Sequence, residues 1–109
     1  MIAFETSALI AEQQETNLPY LEFLRRRSMS MGLYVLEAGS DDPQQPHNED
    51  EVYVVLEGRG QLDVAGRSHA VQPGSIVFVN AYMPHHFHSI TETLRVLVIF
   101  APAETAVSA

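Results

Sequence analysis

Five histidines stand at positions 47, 69, 85, 86 and 88, and carboxylates crowd the first of them. In the segment Gln45-Pro46-His47-Asn48-Glu49-Asp50-Glu51, an extended backbone puts residues at even separation on one face. Gln45, His47, Glu49 and Glu51 then point the same way. An imidazole and a carboxylate together suit a divalent metal, with a third ligand supplied from elsewhere in the chain. His85 follows a predicted strand, just behind Pro84, at what reads as the mouth of a barrel. The bland reading of any single histidine is a packing or surface role. Other chemistries drop out. Cysteine is absent, which removes disulfides, iron–sulfur clusters, thiolate zinc sites and cysteine nucleophiles. No G-x-S-x-G elbow supports a serine hydrolase, and Gly58-Arg59-Gly60 reads as a turn, not as a phosphate loop.

The elements that must position these residues are short. Beyond Pro19, glycines and prolines punctuate runs rich in Val, Ile, Leu, Tyr and Phe, which is the pattern of strands. Strands are predicted near 20–27, 30–38, 50–57, 60–65, 67–71, 75–79, 84–89 and 93–100. Val64-Ala65-Gly66-Arg67 reads as a tight hairpin turn, and Gln72-Pro73-Gly74-Ser75 as a second turn. Connections this short favour antiparallel neighbours. Thr6 or Ser7 caps a short helix through Ala8–Glu15, or the same residues form an extended arm. At 109 residues and 12.1 kDa the chain is one domain: an N-terminal arm over 1–18, a barrel over 19–101 and a flexible tail over 102–109. Two strands are apolar on both faces. Val52, Val54 and Leu56 alternate with Tyr53 and Val55, and Leu94, Val96, Val98 and Phe100 alternate with Leu97 and Ile99. Both faces must therefore be covered, by a second subunit in a homodimer or by the chain's own N-terminal arm.

In this frame the sequence resembles the cupins, small metal-binding β-barrels of jelly-roll type. Their first motif is glycine, five residues, His-x-His, three or four residues, glutamate, six residues, glycine. Gly39, Gln45-Pro46-His47, Glu51 and Gly58 keep every spacing, with glutamine at the first histidine. In the second motif Gly74 and His85 match, while Asn80, Tyr82 and Ser89 replace Pro, Gly and Asn. The resemblance covers about residues 30–100. It implies an all-β, single-domain jelly-roll barrel of antiparallel strands. It also implies one divalent transition metal per chain (Fe, Mn, Ni or Zn), held by His47, Glu51 and His85, with Gln45 at the fourth ligand's position. Similar small cupins include dioxygenases, isomerases, epimerases and lyases. A metal-dependent enzyme acting on a small organic molecule is the leading expectation. A non-catalytic binding or sensing cupin, its metal site weakened or lost with the first histidine, is the alternative.

Around such a centre, Tyr53, Glu49 and Tyr34 are the candidate acid–base groups. Tyr53, Val55, Phe78, Phe87 and Leu97 are candidate cavity walls, with Phe87 a candidate substrate contact. By strand alternation Arg25 and Arg27 share the face of Leu21 and Phe23, and could grip a substrate carboxylate. The bland account is a charged sheet exterior or an intersubunit ion pair. Glu49 and Asp50 read as mainly solvated. Six cationic residues against 14 acidic ones give a net charge of −8, which repels phosphate backbones and anionic membranes alike. Nucleic acid and membrane are therefore not expected partners. No signal-peptide layout or spanning apolar run is visible, and the expected location is the cytoplasm.

Overall fold

A computed structural model describes residues 1–44 and 46–105. One helix precedes six antiparallel strands: α1 (Thr6–Thr16), β1 (Tyr20–Arg25), β2 (Ser30–Leu36), β3 (Asp50–Val64), β4 (Arg67–Val71), β5 (Ile76–Val79) and β6 (His85–Ala101). β3 and β6 are long and belong to two layers at once. The first half of β3 pairs β5 on one side and the second half of β6 on the other, and β2 and β1 continue that sheet. The second half of β3 pairs β4 and the start of β6. The layers curl into a jelly-roll barrel. Its interior is packed with Tyr53, Leu62, Phe87, Leu94, Val96 and Phe100.

Two predicted strand pairs fuse, one of them across a stretch where a turn was expected. The runs 50–57 and 60–65 are one strand, as are 84–89 and 93–100. Gly58-Arg59-Gly60 is therefore no turn. It is a bulged stretch inside β3, where the register with β6 slips between Val55 and Gln61. A bulge bends a strand while its neighbours stay paired, which lets one strand serve two layers. Gly58 sits at φ 92°, and a Cβ there would run into the carbonyl of Thr93. The two predicted turns form as read. Ala65 and Gly66 both take positive φ between β3 and β4, as a two-residue hairpin loop of that twist requires. Ser75 N–H donates to Gln72 O at 2.9 Å.

α1 settles the choice between helix and arm, and it shares the work of covering the outer face. Leu9 and Gln13 are its buried residues. Gln13 Nε2 donates to Leu33 O at 2.8 Å and to Leu18 O at 3.2 Å, while its Oε1 accepts from Arg95 Nε at 3.1 Å. An arginine is thereby buried on the outer face with its charge hydrogen-bonded. The helix stops short of β3 and β5. There Val52, Val54, Leu97 and Ile99 remain half-buried, and Ile76 and Phe78 are 71% and 55% exposed. Phe78 lies opposite Val52 in the register. Phe78 and Leu97 therefore belong to this outer face and do not line the cavity.

The Gly58 bend is directly testable. Gly58→Ala should lose roughly 1–3 kcal/mol from backbone strain alone, read as a lower denaturant midpoint. An unchanged midpoint would mean that the bulge accommodates a side chain.

Candidate metal centre

His47 lies in the loop that enters β3, Glu51 is the second residue of β3, and His85 opens β6. Curling of the layers brings the three together at one end of the barrel. A ligand atom from each lies within 4.8 Å of those of the other two. Glu51 and His85 are 2% and 5% exposed. His85 Nε2 approaches Glu51 Oε1 to 2.8 Å, yet the approach does not have the direction of a hydrogen bond. Both atoms, and Glu51 Oε2, are buried with no hydrogen-bond partner. Buried polar groups are otherwise almost always satisfied. Two carboxylate oxygens and an imidazole nitrogen, buried without hydrogen bonds and converging beside a second imidazole, fit a divalent cation. The other ring nitrogens support the same reading. His85 Nδ1 lies 2.8 Å from Met83 O, and His47 Nδ1 lies 3.3 Å from Glu104 Oε2. Each Nδ1 faces an oxygen, and the Nε2 of His85 faces Glu51 while the Nε2 of His47 stands 3.3 Å from Gln44 Oε1. Burial draws the His85 pKa down, but the Glu51 carboxylate and the Met83 carbonyl outweigh it, and the net shift is upward from 6.5.

A polar network backs the centre. Tyr34 O–H donates to Asp42 Oδ1 at 2.8 Å, and Asp42 Oδ2 accepts from Phe87 N at 2.9 Å and from Gln44 Nε2 at 2.7 Å. Gln44 Oε1 accepts from Tyr53 O–H at 2.9 Å and stands 3.3 Å from His47 Nε2. Asp42 and Gln44 were not singled out by sequence. The available signal was the QQ pair beside the first motif, one residue out of its frame. Gln45 itself, the fourth-ligand candidate, lies outside the described residues.

The remaining candidates separate. Glu49 was expected to be mainly solvated, but it is 2% exposed, and its Oε2 accepts from Thr105 N at 3.2 Å and Thr105 Oγ1 at 2.9 Å. Tyr53 and Phe87 pack edge to face at 5.0 Å in the core, so Phe87 is a wall behind the site. β1 ends at Arg25, and a bulge between Glu22 and Leu24 breaks the alternation that put Arg25 and Arg27 on the face of Leu21 and Phe23. Arg27 is exposed beyond the strand. Arg25 pairs with Glu22 at 2.8 Å, and its Nη2 donates to Glu104 O at 2.9 Å. That last contact shows where the chain goes after β6. The residues read as the start of a flexible tail are seated on the barrel mouth over 102–105. Glu104 is 2% exposed, and its N–H donates to Ser30 Oγ at 2.9 Å. His86 and His69 are exposed, His88 is half-buried and Phe87 is buried, as strand alternation predicts.

The chain belongs to the cupin family: the cupin domain matches residues 32–100. It is 49% identical over 105 residues to the uncharacterized protein SCO3923 of Streptomyces coelicolor, covering 96% of this chain and 100% of that one. The fold is similar to the crystal structure of TT1209 from Thermus thermophilus, with a TM-score of 0.75 and 25% identity over 94% of this chain and 99% of that one. It is also similar to DMSP lyase DddQ from Ruegeria pomeroyi DSS-3, with a TM-score of 0.66 and 23% identity over 70% of this chain. The match spans 39% of the lyase's length. No helix among the described residues is long and apolar enough to cross a membrane.

Burial raises the pKa of Tyr20, Tyr34 and Tyr53, helped by Glu104 at Tyr20, Asp42 at Tyr34 and Glu51 at Tyr53. At neutral pH the three are hydroxyl donors, and Tyr34 and Tyr53 do not act as phenolate bases. The folded state holds protons that the unfolded chain releases above about pH 10. This stabilisation is present below that pH and is lost as pH rises. With the exposed Tyr82 changed to Phe, ultraviolet titration should show no phenolate up to about pH 11 while the fold persists, and stability should fall steadily above about pH 10. A phenolate signal from the folded chain near pH 10 would contradict the burial argument.

Proposed function

We propose that this cupin binds one divalent transition metal through His47, Glu51 and His85 and acts on a small organic molecule. The single observation that carries the proposal is the convergence of ligand atoms from His47, Glu51 and His85, the last two buried and without hydrogen bonds at those atoms. Two imidazoles and one carboxylate suit iron, manganese, nickel or zinc. When bound, such a metal polarises a carbonyl or carboxylate oxygen and acidifies a coordinated water. The chain's residues do the rest. Glu51 is a ligand and no free base. Tyr34 and Tyr53 are neutral donors whose hydroxyls are held by Asp42 and Gln44. Lyase, isomerase and dioxygenase chemistry all suit this ligand set. A cytoplasmic location belongs to the same proposal.

A second reading is a binding or sensing cupin without turnover. The replacement of the first motif histidine by Gln45 favours it. The space lined by Tyr20, Tyr34, Gln44, Val98 and Phe100 measures about 10 Å³, room for a single water at most.

Elemental analysis of untagged protein should find about one metal per chain, and His47→Ala and His85→Ala should each lose it. If the wild-type protein is empty and no first-row metal can be loaded, the metal-dependent reading fails. Small-molecule stabilisation that survives exhaustive chelation would then favour the binder.

The uncovered stripe of Val52, Val54, Leu97 and Ile99, with Ile76 and Phe78 beside it, supports the homodimer. A two-fold interface uses one self-complementary patch on both copies, and this one is apolar where the helix ends. Light scattering at micromolar concentration should give the dimer mass, and Phe78→Arg should give the monomer. A wild-type monomer would refute the assignment.

A further inference from the structure

Glu104 lies outside both cupin motifs, near the end of the chain, yet its carboxylate reaches a metal ligand. The segment that delivers it is fastened through its backbone and its neighbour. Glu104 N–H donates to the fully buried Ser30 Oγ at 2.9 Å, and Glu104 O accepts from Arg25 Nη2 at 2.9 Å. Thr105 is held by Glu49 through two hydrogen bonds and by Asn48 Nδ2 at 3.2 Å. These contacts fasten the segment through the Glu104 backbone and through Thr105. The side chain itself turns inward, 2% exposed, with Oε2 at 3.3 Å from His47 Nδ1. A carboxylate drawn out of water is retained where it is paired.

The chemistry of an imidazole ligand gives this contact a purpose. A carboxylate on Nδ1 holds the proton there, fixes the ring orientation and makes Nε2 a stronger donor. His85 has the neutral carbonyl of Met83 in the equivalent place. The two histidines are therefore set differently, and His47 has the charged partner. This also bears on the substitution in the first motif. Where the family has a second histidine the chain has Gln45, so each remaining ligand counts for more.

We propose that Glu104 is the positioning residue for the metal ligand His47, so that the C-terminal segment is part of the metal centre and its docking is coupled to metal binding. The proposal rests on the metal-binding reading above. Its test uses the full chain and Co²⁺ as the probe, with affinity measured by chelator competition and the site read by visible absorption. Glu104→Gln keeps the size and the backbone bonds while removing the charge. It should weaken Co²⁺ binding by about 10–100-fold and change the visible spectrum, while the thermal midpoint of the metal-free protein stays near the wild-type value. Wild-type affinity and spectrum in Glu104→Gln would overturn the proposal and leave the metal site standing. A wild-type protein that binds no Co²⁺ would overturn both. If Glu104→Gln does not fold, imidazole ¹⁵N spectra of the zinc-loaded wild-type chain decide instead. Coordination of His47 through Nε2 with a protonated Nδ1 supports the assignment, and coordination through Nδ1 overturns it.

Discussion

Glu51 and His85 meet at 2.8 Å almost wholly out of water, and the facing atoms make no hydrogen bond. Burying such atoms is costly unless a ligand or charge completes them. Much of the barrel's end can be understood as the structure that holds them there. Long, bent strands carry the two residues on different layers and fold those layers over each other. Behind them Asp42 and Gln44 tie Tyr34, Tyr53 and the Phe87 backbone into one polar network. The apolar core below, with Phe87 and Leu94 fully buried, leaves the site little freedom to relax.

The acid-rich stretch from Asp41 to Glu51 shows how one composition serves several ends. Asp42, Glu49 and Glu51 turn inward, and each takes a distinct task. Asp42 accepts from a hydroxyl and from backbone and side-chain amides, Glu49 fastens the chain's end, and Glu51 faces the histidines. Asp50 caps the loop before β6 by accepting from Ala81 N at 2.8 Å. The segment 102–105 after β6 then closes the same mouth. Glu104, Arg25 and Ser30 link β1, β2 and the segment after β6. The entrance is thus built from elements far apart in sequence.

The outer face follows a different logic. α1 brings little amphipathic character of its own, and it docks through Leu9 and one buried glutamine that satisfies backbone carbonyls and an arginine together. Such a bond pattern orients a short helix more sharply than apolar contact alone, because hydrogen bonds are directional. The same helix leaves the β3–β5 side open, which is where the apolar character of Val52 and Val54 finds no cover within the described residues.

The local features were legible in the sequence, because they depend on neighbours within a few residues. The hairpin at Ala65-Gly66, the turn at Pro73-Gly74, the alternation that sends Phe87 inward and His86 outward, and the motif spacing of His47, Glu51 and His85 could all be read from residue type and spacing. Tertiary structure decided what depends on distant partners. Gly58 and Gly60 mark bulges in one continuous strand because β6 stays paired alongside them. Arg25 meets Glu22 and the Glu104 carbonyl because a bulge in β1 changes its phase. Glu49, Gln44 and Glu104 acquire their partners only when the barrel closes, since a carboxylate or amide is indifferent to its setting until burial removes water as the alternative. Residue type and spacing determine which groups are available within a turn or a strand; the closed barrel determines which of them meet out of water, where polar interactions are strongest.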